Sequence, residues 1–173
     1  MNKALVVIDM QNDFITGSLG TPEAQAIVRR VAEKIATFDG AVLATKDTHD
    51  TGYEATQEGR LLPVRHCAVG SEGWEAPPEI SKALLEKDYT PFWKDRFASL
   101  ALAKHLEAGG YGEIHLVGVC TDICVVSNAL VIKATLPETP IIVDASCCAG
   151  VTPALHKSAL DVMRSCQIRI ENG

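Results

Sequence analysis

The chain has 173 residues, of which 47% are hydrophobic and 22% charged, a composition typical of a globular protein with its own core. Its net charge of −6 argues against a nucleic-acid-binding surface, and no apolar run approaches the roughly 18 residues that a membrane span needs. The N-terminal apolar run is too short, and reaches acidic residues too soon, for a signal peptide. We therefore expect a cytoplasmic protein.

Six short runs predict β-strands along the chain. The first and the fourth, ALVVID and EIHLVGV, are almost continuously apolar, which is typical of parallel strands covered on both faces. A weaker run, KDYTPFW, is the third candidate. In chain order, the expected strands are 4–9, 41–46, 87–93, 113–119, 140–145 and 167–170.

Helical patterns alternate with these strands. Two of them begin with a capping threonine followed by proline at the first helical position, Thr21–Pro22 and Thr152–Pro153. The expected helices are 21–38, 96–108, 121–134 and 152–164. This alternation predicts an α/β fold in a single domain, 1–173, with a three-layer, doubly wound parallel sheet. The segment from Asp47 to about Pro78 has little periodicity, and such long loops are usually functional.

Polar side chains follow the ends of several predicted strands. Because ligands of open α/β sheets bind beyond the carboxyl ends of the strands, we expect these side chains to converge at one edge. They are Asp9, Asp47, His49, Lys94 and the segment CTDIC, which contains Cys120 and Cys124.

The CTDIC segment allows several interpretations. Its two cysteines are candidates for metal ligands, a disulfide pair, small core residues, or a nucleophile with a neighbour. No Cys-x2-Cys pair indicates a zinc ribbon, and nothing suggests export, so we expect free thiols. Cys124 is expected in a first helical turn, where free N–H groups and the Lys94 cation lower a thiol pKa. Asp9 is placed to accept its proton, and the N–H groups of Cys120 and Cys124 to face an oxyanion.

Five blocks in this order resemble the signature blocks of the isochorismatase-like cysteine hydrolases, a family that includes nicotinamidases. They are ALVVIDMQNDF, ATKDTHD, EGRLLPVRHCAVGSEGW, PFWKDRF and VGVCTDICV, and the resemblance spans nearly the whole chain. The resemblance implies a catalytic triad of Asp9, Lys94 and Cys124 on a six-stranded parallel sheet of the isochorismatase-like hydrolase fold. It also implies a cis peptide between Val119 and Cys120 that aims backbone N–H groups at the substrate carbonyl.

The same resemblance implies a substrate class. Because isochorismatases that cleave a vinyl ether lack the thiol found here as Cys124, amide hydrolysis through a thioester is favoured, with nicotinamide as the leading substrate. Phe14 and Trp93 are expected to flank the site and stack on a flat substrate, although core packing explains them almost as well. Other small amides or ureido compounds, an inactive member acting as a binding subunit, and redox chemistry at Cys120 and Cys124 stay as alternatives. The family also suggests a homo-oligomer.

A metal site is implied beside the triad. Asp47, His49 and His66 resemble the divalent-metal ligands of nicotinamidases, and Glu58 resembles the fourth ligand of some members. Imidazole and carboxylate donors suit zinc, iron or manganese alike. The alternatives are an enzyme that never uses the metal and a polar network that braces the long loop.

Overall fold

The computed structural model describes residues 2–173, which form one six-stranded sheet with helices on both faces. All strand pairings are parallel, in the order β3-β2-β1-β4-β5-β6, so the predicted doubly wound parallel sheet is confirmed. The strands are β1 (Lys3–Ile8), β2 (Ala41–Asp47), β3 (Thr90–Lys94), β4 (Glu113–Val119), β5 (Ile141–Ala149) and β6 (Arg169–Glu171).

The helices are short, apart from α2 and α7. They are α1 (Asn12–Ile15), α2 (Pro22–Thr37), α3 (Gln57–Leu61), α4 (Pro78–Glu86), α5 (Leu100–Gly109), α6 (Val126–Thr135) and α7 (Pro153–Ser165). A 3-10 turn (Tyr53–Ala55) precedes α3, and a π-helical turn (Thr121–Val125) precedes α6. No helix of residues 2–173 has the length and apolar character needed to cross a membrane.

Two apolar cores lie on opposite faces of the sheet. One packs the buried sides of α5, α6 and α7 against the sheet, through residues such as Leu106, Ile132 and Met163. The other packs α2 and α4, through residues such as Ile35 and Ile80. The sheet is thus the middle of three layers, as the near-continuous apolar strands predict.

Capping explains where the long helices begin. Thr21 and Thr152 accept hydrogen bonds from the N–H groups of Ala24 (3.0 Å) and Leu155 (3.2 Å), as predicted. α4 was not predicted, although Pro78 stands at its first turn and Ile80, Ala83 and Leu84 are buried at helical spacing. It begins at the proline-rich end of the segment from Asp47 to about Pro78, which has little periodicity.

The predicted strand and helix ends differ from the observed ones in a few places. β5 continues to Ala149, well beyond the expected end at 145, after a shift of its register against β4 near Gly118. Gly118 has a φ of 121°, and a Cβ there would collide with the carbonyl oxygen of Ile8, so only glycine lets β4 approach β1 at this point. This close approach lies next to the strand ends that carry Asp9 and Cys120.

Candidate active site

Asp9, Lys94 and Cys124 meet at the carboxyl edge of the sheet, where the order of the strands reverses between β1 and β4. The Lys94 Nζ atom lies 2.7 Å from Asp9 Oδ2 and 3.5 Å from Cys124 Sγ. All three residues are buried. The structure thus brings together a carboxylate, an ammonium and a thiol that are up to 115 residues apart in the chain.

Asp9 is held in a sparsely populated backbone conformation. Its φ of 46° lies in the left-handed region, which costs a non-glycine residue about 1–3 kcal/mol. Its Oδ1 accepts a hydrogen bond from the Thr45 hydroxyl (2.7 Å), and its N–H donates to the same hydroxyl (3.2 Å). Thr45 therefore fixes the carboxylate, a role that the sequence does not predict because no local pattern pairs these two residues.

The electrostatics of this group keep the proton on sulfur. Burial raises the pKa of the Cys124 thiol well above its usual range, the Asp9 carboxylate raises it further, and Lys94 only partly opposes both. This corrects the expectation that Lys94 and a helical first turn lower the pKa of Cys124. The physical reason is that the thiol is almost fully desolvated and faces a carboxylate as well as a cation.

The two partners of Cys124 hold opposite charges. Burial raises the pKa of Asp9, and Lys94 lowers it without cancelling that effect. Burial lowers the pKa of Lys94, but Asp9, Cys124 and Asp47 outweigh burial and hold it above its usual range. Lys94 therefore keeps its positive charge, whereas Asp9 binds a proton more readily than a solvated aspartate does.

The strand-to-helix turn presents backbone N–H groups beside the thiol. The peptide between Val119 and Cys120 is cis, as the family resemblance implies. The N–H of Cys120 donates to no backbone carbonyl among the described residues. Burial raises the pKa of the Cys120 thiol to about 12, so this side chain is neutral. Cys124 lies in a π-helical turn instead of the regular first turn that the sequence predicts.

A second cluster adjoins the first through Lys94. The Asp47 Oδ1 atom lies 3.1 Å from Lys94 Nζ, and its Oδ2 lies 2.9 Å from His49 Nε2 and 3.5 Å from His66 Nε2. Burial raises the pKa of Asp47, but hydrogen bonds from both histidines and the Lys94 charge outweigh it and hold the carboxyl ionised. Asp47, His49 and His66 offer ligand atoms within 4.8 Å of one another.

Glu58 completes this cluster from α3. Its Oε1 lies 3.9 Å from His49 Nε2 and 3.8 Å from His66 Nε2. Burial and the Asp47 charge raise the pKa of Glu58. Tyr53 packs against both imidazoles, with ring centroids 4.6 Å and 5.1 Å away, and this aromatic contact is not predicted by the sequence.

The donor set of this cluster fits a divalent cation. The Nδ1 atom of His66 lies 2.8 Å from the Val64 carbonyl, so a proton on Nδ1 orients the ring with Nε2 toward Asp47. Burial lowers the pKa of His66, but the hydrogen bond to Asp47 and the charges of Asp47 and Glu58 outweigh burial and raise it, so the two carboxylates favour a positive charge at this position. Two imidazoles and two carboxylates suit zinc, iron or manganese.

An apolar cavity of about 200 Å³ opens onto both clusters. Its size is below the 300–1,000 Å³ typical of sites for drug-sized ligands, which indicates a small ligand. No lysine or arginine lines it among the described residues. The wall residues are Phe14, Leu19, Leu62, Phe97, Ile123 and Val151, and the polar or reactive ones are Asp47, Glu58, His66, Cys120 and Cys124.

Phe14 and Trp93 have different positions. Phe14 lines the cavity, and its ring centroid lies 5.5 Å from that of His66. Trp93 lies outside the cavity, is 68% exposed, and approaches Trp74 with ring centroids 6.3 Å apart. Successive side chains of a strand point to opposite faces, so Trp93 faces away from the side to which its neighbour Lys94 points.

Comparisons with known proteins identify the family. Residues 3–171 match the Isochorismatase domain. An isochorismatase family protein from Bacillus subtilis, PncA, is 35% identical over 144 residues, which cover 75% of this chain and 78% of that protein.

Solved structures agree with this match. A crystal structure of nicotinamidase PncA from Bacillus subtilis superposes with a TM-score of 0.88 at 28% identity, covering 99% of this chain and 100% of that one. The pyrazinamidase of Pyrococcus horikoshii in complex with zinc superposes with a TM-score of 0.82 at 28% identity, covering 98% of each chain. The chain described here therefore belongs to the isochorismatase family.

Proposed function

We propose that this protein is a cysteine amidohydrolase that cleaves a small neutral carboxamide, with nicotinamide as the first candidate, to the carboxylic acid and ammonia. The observation that carries this proposal is the cluster of Asp9, Lys94 and Cys124 beside an apolar cavity, with Lys94 Nζ 3.5 Å from the Cys124 sulfur. Similarity to nicotinamidase and pyrazinamidase structures supports the choice of substrate.

The first half of the reaction forms a thioester. Asp9 takes the Cys124 proton as the sulfur attacks the amide carbonyl carbon, because burial makes a free thiolate costly and makes Asp9 a better proton acceptor. Lys94 stabilises the negative charge that develops on sulfur. The N–H groups of Cys120 and Cys124 donate to the oxyanion. Asp9 then gives its proton to the nitrogen, the C–N bond breaks, and ammonia leaves.

The second half releases the acid. A water molecule attacks the thioester carbonyl and transfers a proton to Asp9, the C–S bond breaks, and the proton returns to Cys124. Asp9 thus acts twice as a base and twice as an acid, which its buried, Thr45-held carboxylate suits.

Asp47, His49, Glu58 and His66 are the residues that would hold a divalent metal ion, and zinc, iron and manganese are its candidates. When bound, such an ion supplies a Lewis acid beside the cavity, to which a ring nitrogen of a substrate such as nicotinamide is able to coordinate. Without it, Phe14 still offers an aromatic wall for a flat ring.

The charge of the cavity favours a neutral amide over a ureido acid. A substrate with a free carboxylate needs a cationic partner, and the cavity wall has none among the described residues. Lys94 already faces Asp9 at 2.7 Å and Asp47 at 3.1 Å. An added carboxylate would instead meet Asp47 and Glu58, which are acidic.

The test is ammonia release from nicotinamide, pyrazinamide, an aliphatic amide and an N-carbamoyl amino acid, before and after chelation. We expect release from the aromatic amides, loss of release in Cys124→Ala, and unchanged release in the matched control Cys166→Ala. Chelator-insensitive release would remove the metal from the proposal and keep the three catalytic residues. Wild-type activity in Cys124→Ala, or preferred cleavage of the carbamoyl compound, would overturn the proposal.

A further inference from the structure

One wall of the active-site cavity is a segment with little support of its own. Residues 95–98 connect β3 to α5, and Phe97, which lines the cavity, is 49% exposed. No backbone–backbone hydrogen bond joins residues 95–98 to any other part of the described chain. The position of this wall must therefore depend on side chains.

Asn128 supplies the missing contacts. It lies in α6, one turn after Cys124, and is completely buried. Its Nδ2 group donates to the carbonyl oxygens of Phe97 (3.0 Å) and Cys124 (2.8 Å). Its Oδ1 accepts a hydrogen bond from the N–H of Ser99 (3.0 Å), the residue whose hydroxyl caps α5 at Leu102.

We infer that Asn128 is a positioning residue that sets the distance between the Phe97 wall and the Cys124 sulfur, and thereby the size of substrate that the cavity accepts. This inference rests on the proposed function and deepens it. Its amide bonds one backbone group of the turn that carries Cys124 and two backbone groups at the cavity wall. These contacts hold the wall at a fixed position relative to Cys124. No other buried side chain of the described residues donates to the backbone of residues 95–98.

The chemistry of the amide is essential to this role. Two donor hydrogens and one acceptor oxygen are used at once, which a carboxylate of the same shape cannot provide, since it has no donors. Removing the side chain takes this partner away from the N–H of Ser99 and from the carbonyls of Phe97 and Cys124, which is costly where these groups are buried. Because residues 95–98 are largely exposed, we expect them to move outward to water instead.

Lys94 need not follow this movement. Its carbonyl accepts a hydrogen bond from the N–H of Thr48 (2.8 Å), and its ammonium is held by Asp9 and Asp47. The reacting groups thus keep their places while the wall is displaced. Loss of Asn128 should therefore change which substrates the enzyme prefers without changing the rate of the chemical step.

The experiment is a double-mutant cycle of Asn128→Ala and Phe97→Ala, measured with an aromatic and a short aliphatic primary amide. We expect each single variant to lower the aromatic-to-aliphatic ratio of kcat/KM about tenfold through KM, and the double variant to lower it no further. The matched control Asn172→Ala removes an asparagine that bonds Asp144 far from the cavity, and we expect it to leave the ratio unchanged. An unchanged ratio in Asn128→Ala, or a ratio in the double variant equal to the product of both effects, would overturn the inference.

A second readout does not depend on hydrolysis. Cys124 is alkylated by iodoacetamide or by its N-phenyl derivative, and peptide mass spectrometry measures the two rates. The ratio of these rates reports the same preference for a flat ring. If the wild type cleaves no amide, the proposed function fails, and this ratio still tests Asn128. If Asn128→Ala does not fold, Asn128→Ser, which keeps one donor, replaces it in both measurements, and an unchanged ratio there contradicts the inference.

Discussion

The chain contains the pattern acid-x-His twice, at opposite ends of the sheet. Asp47 and His49 lie at the carboxyl end of β2, and Glu113 and His115 at the amino end of β4. In both pairs the imidazole Nε2 meets the carboxylate, at 2.9 Å and 2.7 Å. The two pairs have the same local geometry, so any difference in what they do comes from their neighbours.

The two pairs have different neighbours. Asp47 contacts the Lys94 ammonium through Oδ1 (3.1 Å), but Lys94 also faces the Asp9 carboxylate (2.7 Å). Around Asp47, the additional groups that face the imidazole nitrogens are His66 and Glu58, both potential metal ligands. Glu113 instead meets the cations Lys3 (3.2 Å) and Arg169 (3.7 Å). Two carboxylates and two imidazoles therefore converge at the first pair, whereas the second has one of each beside two cations. An acid-x-His pattern therefore indicates a metal site only where further acceptors converge on it.

The largest expected difference between the two pairs is in catalysis. Asp47→Asn should lower kcat/KM for nicotinamide by at least about 100-fold, because Asp47 contacts Lys94 as well as both imidazoles. Glu113→Gln should change it by less than about twofold. Steady-state ammonia release measures both. An Asp47→Asn enzyme with nearly full activity would remove the distinction between the two ends of the sheet.

Metal affinity should show the next largest difference. Loss of one ligand in His49→Ala should weaken binding of a divalent ion about 10- to 100-fold or more, whereas His115→Ala should leave it unchanged. Titration against a metal indicator, with metal content measured on folded protein only, compares the two variants. Equal affinity in His49→Ala and the wild type would favour the alternative that the cluster only braces its loop.

Phe14 and Trp93 differ in position within the carboxyl end of the sheet. Phe14→Ala should raise KM for an aromatic amide roughly tenfold, since it removes one wall of a small apolar cavity. Trp93→Ala should leave KM within about twofold, because Trp93 lies outside that cavity. Competition by nicotinate measures the same contacts at equilibrium. An equal rise of KM in Trp93→Ala would show that the substrate extends beyond the cavity.

The smallest effect concerns stability at the amino end. A hydrogen bond with His115, with a smaller contribution from Lys3, holds the pKa of Glu113 below its usual value despite the opposing effect of partial burial. A depressed carboxyl pKa stabilises the fold above the unfolded pKa of about 4.3 and loses that effect as the pH falls through the folded value.

Glu113→Gln should therefore lower Tm by roughly 2–4 °C at pH 7, as expected for about 1 kcal/mol, and by progressively less below about pH 4. Thermal melts of both proteins across this range provide the measurement. A gap in Tm that widens toward low pH would contradict the assigned direction.

The convergence of the reactive groups was predictable from the sequence. Asp9, Asp47 and Cys124 follow strands whose apolar runs are clear, and parallel strands bring their carboxyl ends to one edge. Lys94 ends β3, which the sequence indicates only weakly, and the expected range stopped one residue before it. Trp93 was expected to flank the site together with Lys94, but strand alternation turns the side chains of these two neighbours to opposite faces, and Trp93 lies outside the cavity.

Contacts between distant side chains and backbone groups were not predictable. Gln11 bonds the N–H (2.7 Å) and the carbonyl (2.8 Å) of Asp47, 36 residues away, and so ties the end of β1 to the end of β2. Thr45 and Asn128 act similarly on Asp9 and on the cavity wall. Such contacts produce no periodic pattern in the sequence, because the two partners come together only once the strands are in register.

The length of β1 has a practical consequence for engineering this enzyme. Lys3 belongs to the ion cluster at one end of the sheet and Asp9 follows the other end, about 20 Å away at strand spacing. Substitutions this far apart usually contribute additively to stability. Directed evolution is therefore free to strengthen the Lys3–Glu113–Arg169 cluster first and to diversify the cavity afterwards, with the gained stability offsetting destabilising changes at the site.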